Sequence, residues 1–351
     1  MACTIRDIAR EAGVSVSTVS LVLRGKECRI ADETRQRIQR VAKQMNYIPN
    51  QVAVSLVTKK THTIGLIYSD MLNPFYAELA VGVERNAQSS GYSLLICNCD
   101  EQVQRCIDNI TLLESRLVDG FILQPPETTN ASPQQLRALQ EKLKNCQTPY
   151  VILDRAIHDV YHDYVAADHQ LGGYLAAEHL YKLGHRRIGC ITGSLSDYGS
   201  KRRLIGYQEV LKLHGIPYDP DLIYEGLYQI ETGYRGALEL FKQNVTAIFA
   251  FSDQIALGVQ RAATEQGISI PQDLSLVGYD DSSLAHLCSV PLTTIRQPIE
   301  LLGKRACEIL LERIENNNQT HQDYFYPPAL IQRSSCSLPR AESKTLFPKN
   351  F

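Results

Sequence analysis

The first sixty residues are patterned at helical spacing. Ile5, Ile8, Ala9 and Ala12 recur at intervals of three and four and make one apolar face. Thr4 precedes them with Asp7 three residues on, the spacing of a capping box. Gly13 supplies the permissive backbone that ends a helix, and Ser15 can cap the next. In the second segment Val19, Val22 and Leu23 point one way, while Ser17, Ser20, Leu21 and Arg24 point the other. The pattern predicts two short helices joined by a tight turn, the second with an exposed polar stripe. A third helix is predicted from about Asp32 to Asn46, packing through Thr34, Ile38, Val41 and Met45. Ala31 is a weak cap for it, partly offset by Asp32 and Glu33 at the positive helix end. Pro49 breaks that pattern. Residues 50–56 are then too few for a stable isolated helix, and a passive linker remains an alternative.

Beyond Thr63 the period changes. Short β-rich apolar runs at Ile64–Tyr68, Tyr92–Cys97, Gly120–Leu123 and Val151–Leu153 alternate with helical stretches. A second set follows at Val165–Ala167, Ile188–Thr192, Leu222–Glu225, Ala247–Phe251 and Leu276–Tyr279. Repeated βα units predict parallel sheets covered on both faces, and two sets predict two similar lobes with a cleft between them. The expected fold class is therefore α/β, an all-α helix–turn–helix head on a two-lobed body. Ligands of such lobes sit beyond the carboxyl ends of the strands. The polar and aromatic residues at those ends are Asn73, Phe75 and Tyr76, then Gln124, then Asp154 and Arg155. In the second set Tyr228, Ser252, Tyr279 and Asp280 hold such places, Arg203 stands on the helix after Gly193, and Gln297 lies on the return crossing after Thr294-Ile295. Carboxylates, guanidinium groups and amides suit sugar hydroxyls, and flat rings suit the C–H faces of a sugar.

Charge sharpens this division. Residues 1–60 carry 11 Lys and Arg against 5 Asp and Glu, and the remainder of the 351-residue chain carries 25 against 33. A basic head on an acidic body fits a nucleic-acid-binding module attached to a domain that avoids nucleic acid. No apolar run is long enough to span a bilayer, and the N-terminus lacks a signal-peptide core, so a cytoplasmic protein without membrane contact is expected. The ten cysteines include no C-x-x-C pair and read as reduced thiols.

The segment Ala9-Arg10-Glu11-Ala12-Gly13-Val14-Ser15-Val16-Ser17-Thr18-Val19-Ser20 resembles the lac repressor family of bacterial transcription regulators. Glu33-Thr34-Arg35 and Asn46-Tyr47-Ile48-Pro49-Asn50 extend the match, and the body is similar to periplasmic sugar-binding proteins. The resemblance implies a DNA-binding domain over 1–48, a hinge helix and linker over 49–61, an effector-binding and dimerisation body over 62–340, and a tail over 341–351. It implies a first lobe of about 62–160 plus 292–323 and a second of about 161–291 plus 324–340. Contacts to double-stranded, palindromic operator DNA are implied at Thr4, Ser15, Val16, Ser17, Thr18, Ser20, Leu21 and Arg24. In the hinge they are implied at Asn50, Ala53 and Leu56, Leu56 being the wedge between base pairs. Val54 stands where the family often has Arg. Effector contacts are implied at Asn73, Phe75, Tyr76, Gln124, Asp154, Arg155, Arg203, Tyr228, Tyr279, Asp280 and Gln297. The Asn-Pro-Phe-Tyr and Leu-Asp-Arg segments resemble the pentose branch, ribose above all, whereas Ser252 replaces an Asn common in sugar binders.

The implied protein is a homodimeric repressor released from DNA by a monosaccharide, with no cofactor and no metal. A purine or sugar phosphate acting as co-repressor is the alternative within this architecture. An enzyme fits poorly, for there is no G-x-G-x-x-G and no Walker-type loop. His158-Asp-Val-Tyr-His162 only imitates a metalloprotease motif, and His179 and His185 read as structural. A free sugar-binding protein would need the secretory signal that is missing.

Overall fold

The computed structural model describes residues 3–23, 29–47, 55, 58, 60–71, 73–127, 131–157, 159–316 and 320–340. The chain divides into two compact units, Met1–Thr61 and His62–Phe351.

The first unit holds α1 (Ile5–Ala12), α2 (Val16–Leu23) and α3 (Asp32–Gln44). The capping box is present: the Thr4 N–H and hydroxyl both donate to Asp7 Oδ2, at 3.0 and 2.7 Å. Gly13 turns the chain with φ +64°, a conformation only glycine adopts without strain. Ile8, Ala9, Ala12, Val19, Val22, Ile38, Val41 and Ala42 close a small core. The third helix stops at Gln44, earlier than expected, and Met45 is partly exposed while Ala42 takes the inner position. Ala31 precedes it with no side-chain cap bond. Arg24, Asn50, Ala53 and Leu56, and the tail over 341–351, lie outside the described residues.

The second unit contains two six-stranded sheets. Its strands are β1 (Thr63–Tyr68), β2 (Ser93–Asn98), β3 (Gly120–Leu123), β4 (Tyr150–Leu153), β5 (Asp163–Ala167), β6 (Ile188–Thr192), β7 (Ile223–Glu225), β8 (Ala247–Ala250), β9 (Ser275–Asp280), β10 (Thr293–Arg296), β11 (Asp323–Tyr326) and β12 (Ala329–Ile331). Between them run α4 (Pro74–Ser89), α5 (Val103–Ser115), α6 (Pro133–Lys144), α7 (His169–Lys182), α8 (Tyr198–Leu213), α9 (Ile230–Lys242), α10 (Asp253–Glu265), α11 (Ser283–Leu287) and α12 (Ile299–Glu315).

The first sheet runs β11-β5-β4-β3-β1-β2, all pairs parallel. Its strands alternate: Ile64, Leu66, Ile122, Val151 and Val165 pack toward α4 and α12, and Ile67, Phe121, Ile152 and Ala166 toward α5 and α6. That is the period of two expected of a sheet buried on both faces. The second sheet runs β12-β10-β9-β8-β6-β7, with only β12 antiparallel, around its own core.

Strand pairing corrects the expected lobe limits. Val165–Ala167 does not open the second lobe, because β5 bonds to β4 (Leu153 opposite Val165) in the first sheet. β10 lies in the second sheet beside β9, and β11 returns to the first beside β5. The chain therefore crosses between lobes at Asp168, at Gln297–Pro298 and at Pro327–Pro328. Among the described residues no helix is long and apolar enough to cross a membrane.

Candidate effector cleft and DNA-reading helix

In the head, backbone turn and cap together aim α2. Val14 N–H reaches Ala9 O at 3.0 Å, and Thr18 N–H donates to Ser15 Oγ at 3.1 Å. The same Ser15 hydroxyl lies 2.7 Å from both Ser17 Oγ and Thr18 Oγ1. Ser15 and Thr18 are thus engaged in holding the helix start. Val19 and Val22 anchor the inner face, which leaves Val16 (41% exposed) and Leu21 (39%) outward with Ser17 exposed and Ser20 half-buried beside them. This stripe offers methyl groups and short hydroxyls, able to touch thymine methyls and accept or donate single hydrogen bonds, but not to make bidentate ones. Thr4 is exposed at the start of α1, and Arg6, Arg10, Arg37, Arg40 and Lys43 are exposed around the bundle.

In the body, the strand ends of both lobes meet in a tightly closed cleft with only about 20 Å³ of free volume. Asn73, Phe75, Tyr76, Asp154 and Arg155 line it from the first lobe, Arg203, Tyr228 and Asp280 from the second, and Gln297 from a crossing. The other three expected contacts lie behind it. Ser252 caps α10, accepting from Ile255 N–H at 3.2 Å. Tyr279 is a floor on which the Arg203 guanidinium stacks, 3.7 Å from the ring centre. Gln124 is fully buried and accepts the Ser69 N–H at 2.8 Å.

Local sequence explains the placements. Asn73 caps α4, accepting from Phe75 N–H at 3.1 Å, and Pro74 opens the helix. Phe75 and Tyr76 then stand edge to face, 5.1 Å between centres, on the cavity wall. Asp154 and Asp280 end their strands with φ of +67° and +108°, backbone that non-glycine residues hold only when the surroundings over-determine it. Arg203 sits where α7 and α8 touch backbone to backbone. A Cβ on Gly206 would fall 2.0 Å from Gln170 O, and one on Gly173 2.0 Å from Arg203 O.

Electrostatics divides the carboxylates. Burial by itself would raise Asp154, but His169, Arg155 and Arg203 outweigh it and hold the group below the usual range. Burial pushes Asp280 well up, with Arg203 opposing and Asp253 adding to the rise. Asp280 Oδ1 accepts from Gln297 Nε2 at 2.8 Å. Glu127 is pushed to about 7, by burial first and by Glu101 and Asp197, against the pull of Arg155.

Several buried polar atoms in and behind the cleft have no partner in the protein: Arg203 Nε, Gln124 Nε2, Asp154 Oδ1 and Gln297 Oε1. Asp154 Oδ1 has only His169 Nε2 at 3.6 Å, an ion-pair distance beyond hydrogen bonding. Buried polar atoms are normally satisfied, so such a group of donors and acceptors asks for a polar guest.

Sequence reasoning passed over His169, Asp197 and Gly199, which also line the cavity, and Glu101 and Glu127 at its mouth. The strand-end rule would have reached Glu101, just beyond β2, and His169, just beyond β5, had those strands been followed to their ends. No signal of that kind marks Asp197, the cap of α8. Among the described residues no group of three or more His, Cys, Asp and Glu is placed to hold a metal. His158 lies outside the described residues.

Residues 4–50 match the family model described as bacterial regulatory proteins, lacI family, and residues 177–336 match a periplasmic binding protein-like domain. The ribose operon repressor of Haemophilus influenzae is 38% identical, over 95% of this chain and 98% of that one. The HTH-type transcriptional repressor PurR of Vibrio atlanticus is 34% identical, over 95% and 98%. Among solved structures, the lac repressor dimer bound to operator and the anti-inducer ONPF superimposes with a TM-score of 0.84. It is 28% identical, covering 96% of this chain and 100% of that one.

Proposed function

The chain belongs to the lacI family of bacterial regulatory proteins, a DNA-binding repressor and not an enzyme, and from that premise we propose that it is a homodimeric operator-binding protein induced by a pentose, ribose foremost. The unpartnered set Arg203 Nε, Asp154 Oδ1 and Gln297 Oε1 carries this reading. Each hydroxyl of a sugar can accept from the guanidinium and donate to the carboxylate or amide, which satisfies buried groups and ligand at once. Tyr76, Phe75 and Tyr228 supply rings for the C–H faces. The similarity to a ribose operon repressor supports the choice of pentose.

Val16, Ser17 and Leu21 read base edges from the major groove, and the basic surface of the head binds phosphates. Two heads on a two-fold protein match a palindrome. Val81, Leu95 and Ile96, exposed on the packed pair α4 and β2, give the body an apolar surface for the second copy. Such a repressor works where the chromosome is, in the cytoplasm.

Sugar binding between the lobes weakens the joint hold of the two copies on operator DNA. The heads then keep only weak, salt-sensitive phosphate binding. Linkage requires operator DNA to weaken sugar binding by the same factor, roughly 1–3 kcal/mol in typical systems. The test is a thermal-shift screen against monosaccharides, purines and sugar phosphates, followed by operator binding in fluorescence anisotropy with and without the best ligand. A pentose should raise the melting temperature and weaken operator binding at least tenfold. Tighter operator binding in its presence would reverse the sign and make the ligand a co-repressor.

A further inference from the structure

The inner cleft opens through Asn73, Tyr76, Arg155 and Tyr228 into a wider mouth of about 320 Å³. Among the described residues lining that mouth Arg155 is the only cation, against Asp70, Glu101 and Glu127. A free guanidinium fork at the edge of a sugar site can take a phosphate or carboxylate as well as hydroxyls, since its planar fork matches those anions. Here one arm of that fork is already engaged. Arg155 Nη1 donates to both carboxylate oxygens of Glu101, at 2.9 and 2.8 Å, and Arg155 Nε lies 3.9 Å from Asp197 Oδ1.

Glu101 is built into this position. It holds φ +54° beside Asp100 at +52°, left-handed backbone that costs a non-glycine residue energy and persists only where the surroundings enforce it. Its N–H donates to Ser69 O at 2.9 Å, and Ser69 Oγ in turn accepts from Arg155 at 3.3 Å. Its carboxylate also receives the Glu127 N–H. Loop 99–102 and the Arg155 side chain are thus tied into one unit.

The geometry points to Glu101 as the specificity determinant of the cleft: by occupying Arg155 it excludes phosphorylated and carboxylated sugars, so that the effector class is uncharged sugars. This rests on the sugar-binding reading above and deepens it. An anion entering the mouth would have to displace Glu101 while facing Asp70 and Glu127. A hydroxyl pays no such penalty, and accepting from an already paired guanidinium remains open to it. Specificity by a built-in repulsive group is a general device.

The experiment is calorimetric titration of the full-length protein and of Glu101→Gln with D-ribose, D-ribose 5-phosphate and inorganic phosphate. Wild type should bind neither phosphate at millimolar concentration. Glu101→Gln should bind both at least tenfold more tightly than wild type, and adding Arg155→Gln to it should cancel the gain. Glu101→Ala should reproduce the gain if the glutamine variant folds poorly, and Glu101→Asp should show none. Phosphate affinity unchanged in both neutral variants, a gain that survives loss of Arg155, or wild-type binding of ribose 5-phosphate as tight as ribose would each overturn the assignment. Failure of ribose to bind any of these proteins would instead sink the pentose reading, while the phosphate arm still decides the role of Glu101.

Discussion

Arg155 and Asp197 face each other across the two lobes, Nε to Oδ1 3.9 Å apart, each side chain 7% exposed. Arg155 follows β4 in the first lobe and Asp197 caps α8 in the second, where its other oxygen accepts Ser200 N–H at 2.9 Å. The pair is formed only while the lobes are close, so it contributes to the closed state and to any ligand that needs it.

Asp197→Asn keeps an oxygen for the helix cap and removes the charge that faces Arg155. Because Asn caps about as well as Asp, the melting temperature without ligand should fall by no more than a few degrees. Effector affinity should drop roughly tenfold, about 1.4 kcal/mol. Titration calorimetry beside thermal melts separates the two effects. An affinity equal to wild type would show that the pair has no part in closure.

Gly206→Ala places a methyl 2.0 Å from Gln170 O and 2.5 Å from Tyr174 N. The helices α7 and α8 must separate, carrying Arg203 and His169 with them. We expect a loss of about 3 kcal/mol or more in urea unfolding, in the range of severe overpacking. Gly215→Ala is the control: φ is +67° but no atom lies within 4 Å, so only the backbone cost of about 1–2 kcal/mol applies. Equal losses in the two variants would argue against a backbone contact between the helices.

His185 ties the C-terminal segment to the second sheet. Its Nδ1 lies 2.8 Å from Thr246 Oγ1, and its Nε2 lies 2.9 Å from Ser275 Oγ and 3.0 Å from Ser337 O. Burial lowers its pKa below the usual histidine value of about 6.5, the Ser337 bond opposing. The unfolded chain therefore binds the proton more readily than the native one. The stability His185 contributes is complete above pH ~6.5 and is lost as pH falls toward its depressed native value. The advantage of wild type over His185→Gln should shrink between pH 7 and pH 5 in urea titrations. A constant difference would mean that His185 binds its proton equally well in the native and the unfolded chain.

Leu21→Arg replaces an exposed apolar side chain on α2 with one able to pair bidentately with guanine. A randomised-operator selection should return a changed half-site, with a guanine gained at one position. The same consensus for both proteins would remove α2 from the base-reading role. The fold of the head should be unaffected, since Leu21 is outside its core.

The head was legible because its determinants are local. Thr4 and Asp7, Gly13, Ser15 and the apolar spacing of Ile8, Val19 and Val22 all act within one or two helical turns, and the structure places them as that spacing requires. The strand ends that place Asn73, Asp154 and Asp280 were legible too, because a polar residue at or just beyond the end of a buried apolar run is visible without knowing its neighbour.

Pairing between strands was not. In parallel sheets buried on both faces, every strand is a similar apolar run, and its partner is chosen by hydrogen bonds to residues far away in sequence. Val165–Ala167 therefore looked like the start of a second lobe until its bonds to β4 put it in the first. For the same reason Asp197 reads from sequence only as a helix cap, and Glu101 only as a polar residue after a strand. Their partnership with Arg155 spans 42 and 54 residues of chain: the Glu101 pair exists only once β2 and β4 share one sheet, and the Asp197 pair only once the two sheets are brought face to face.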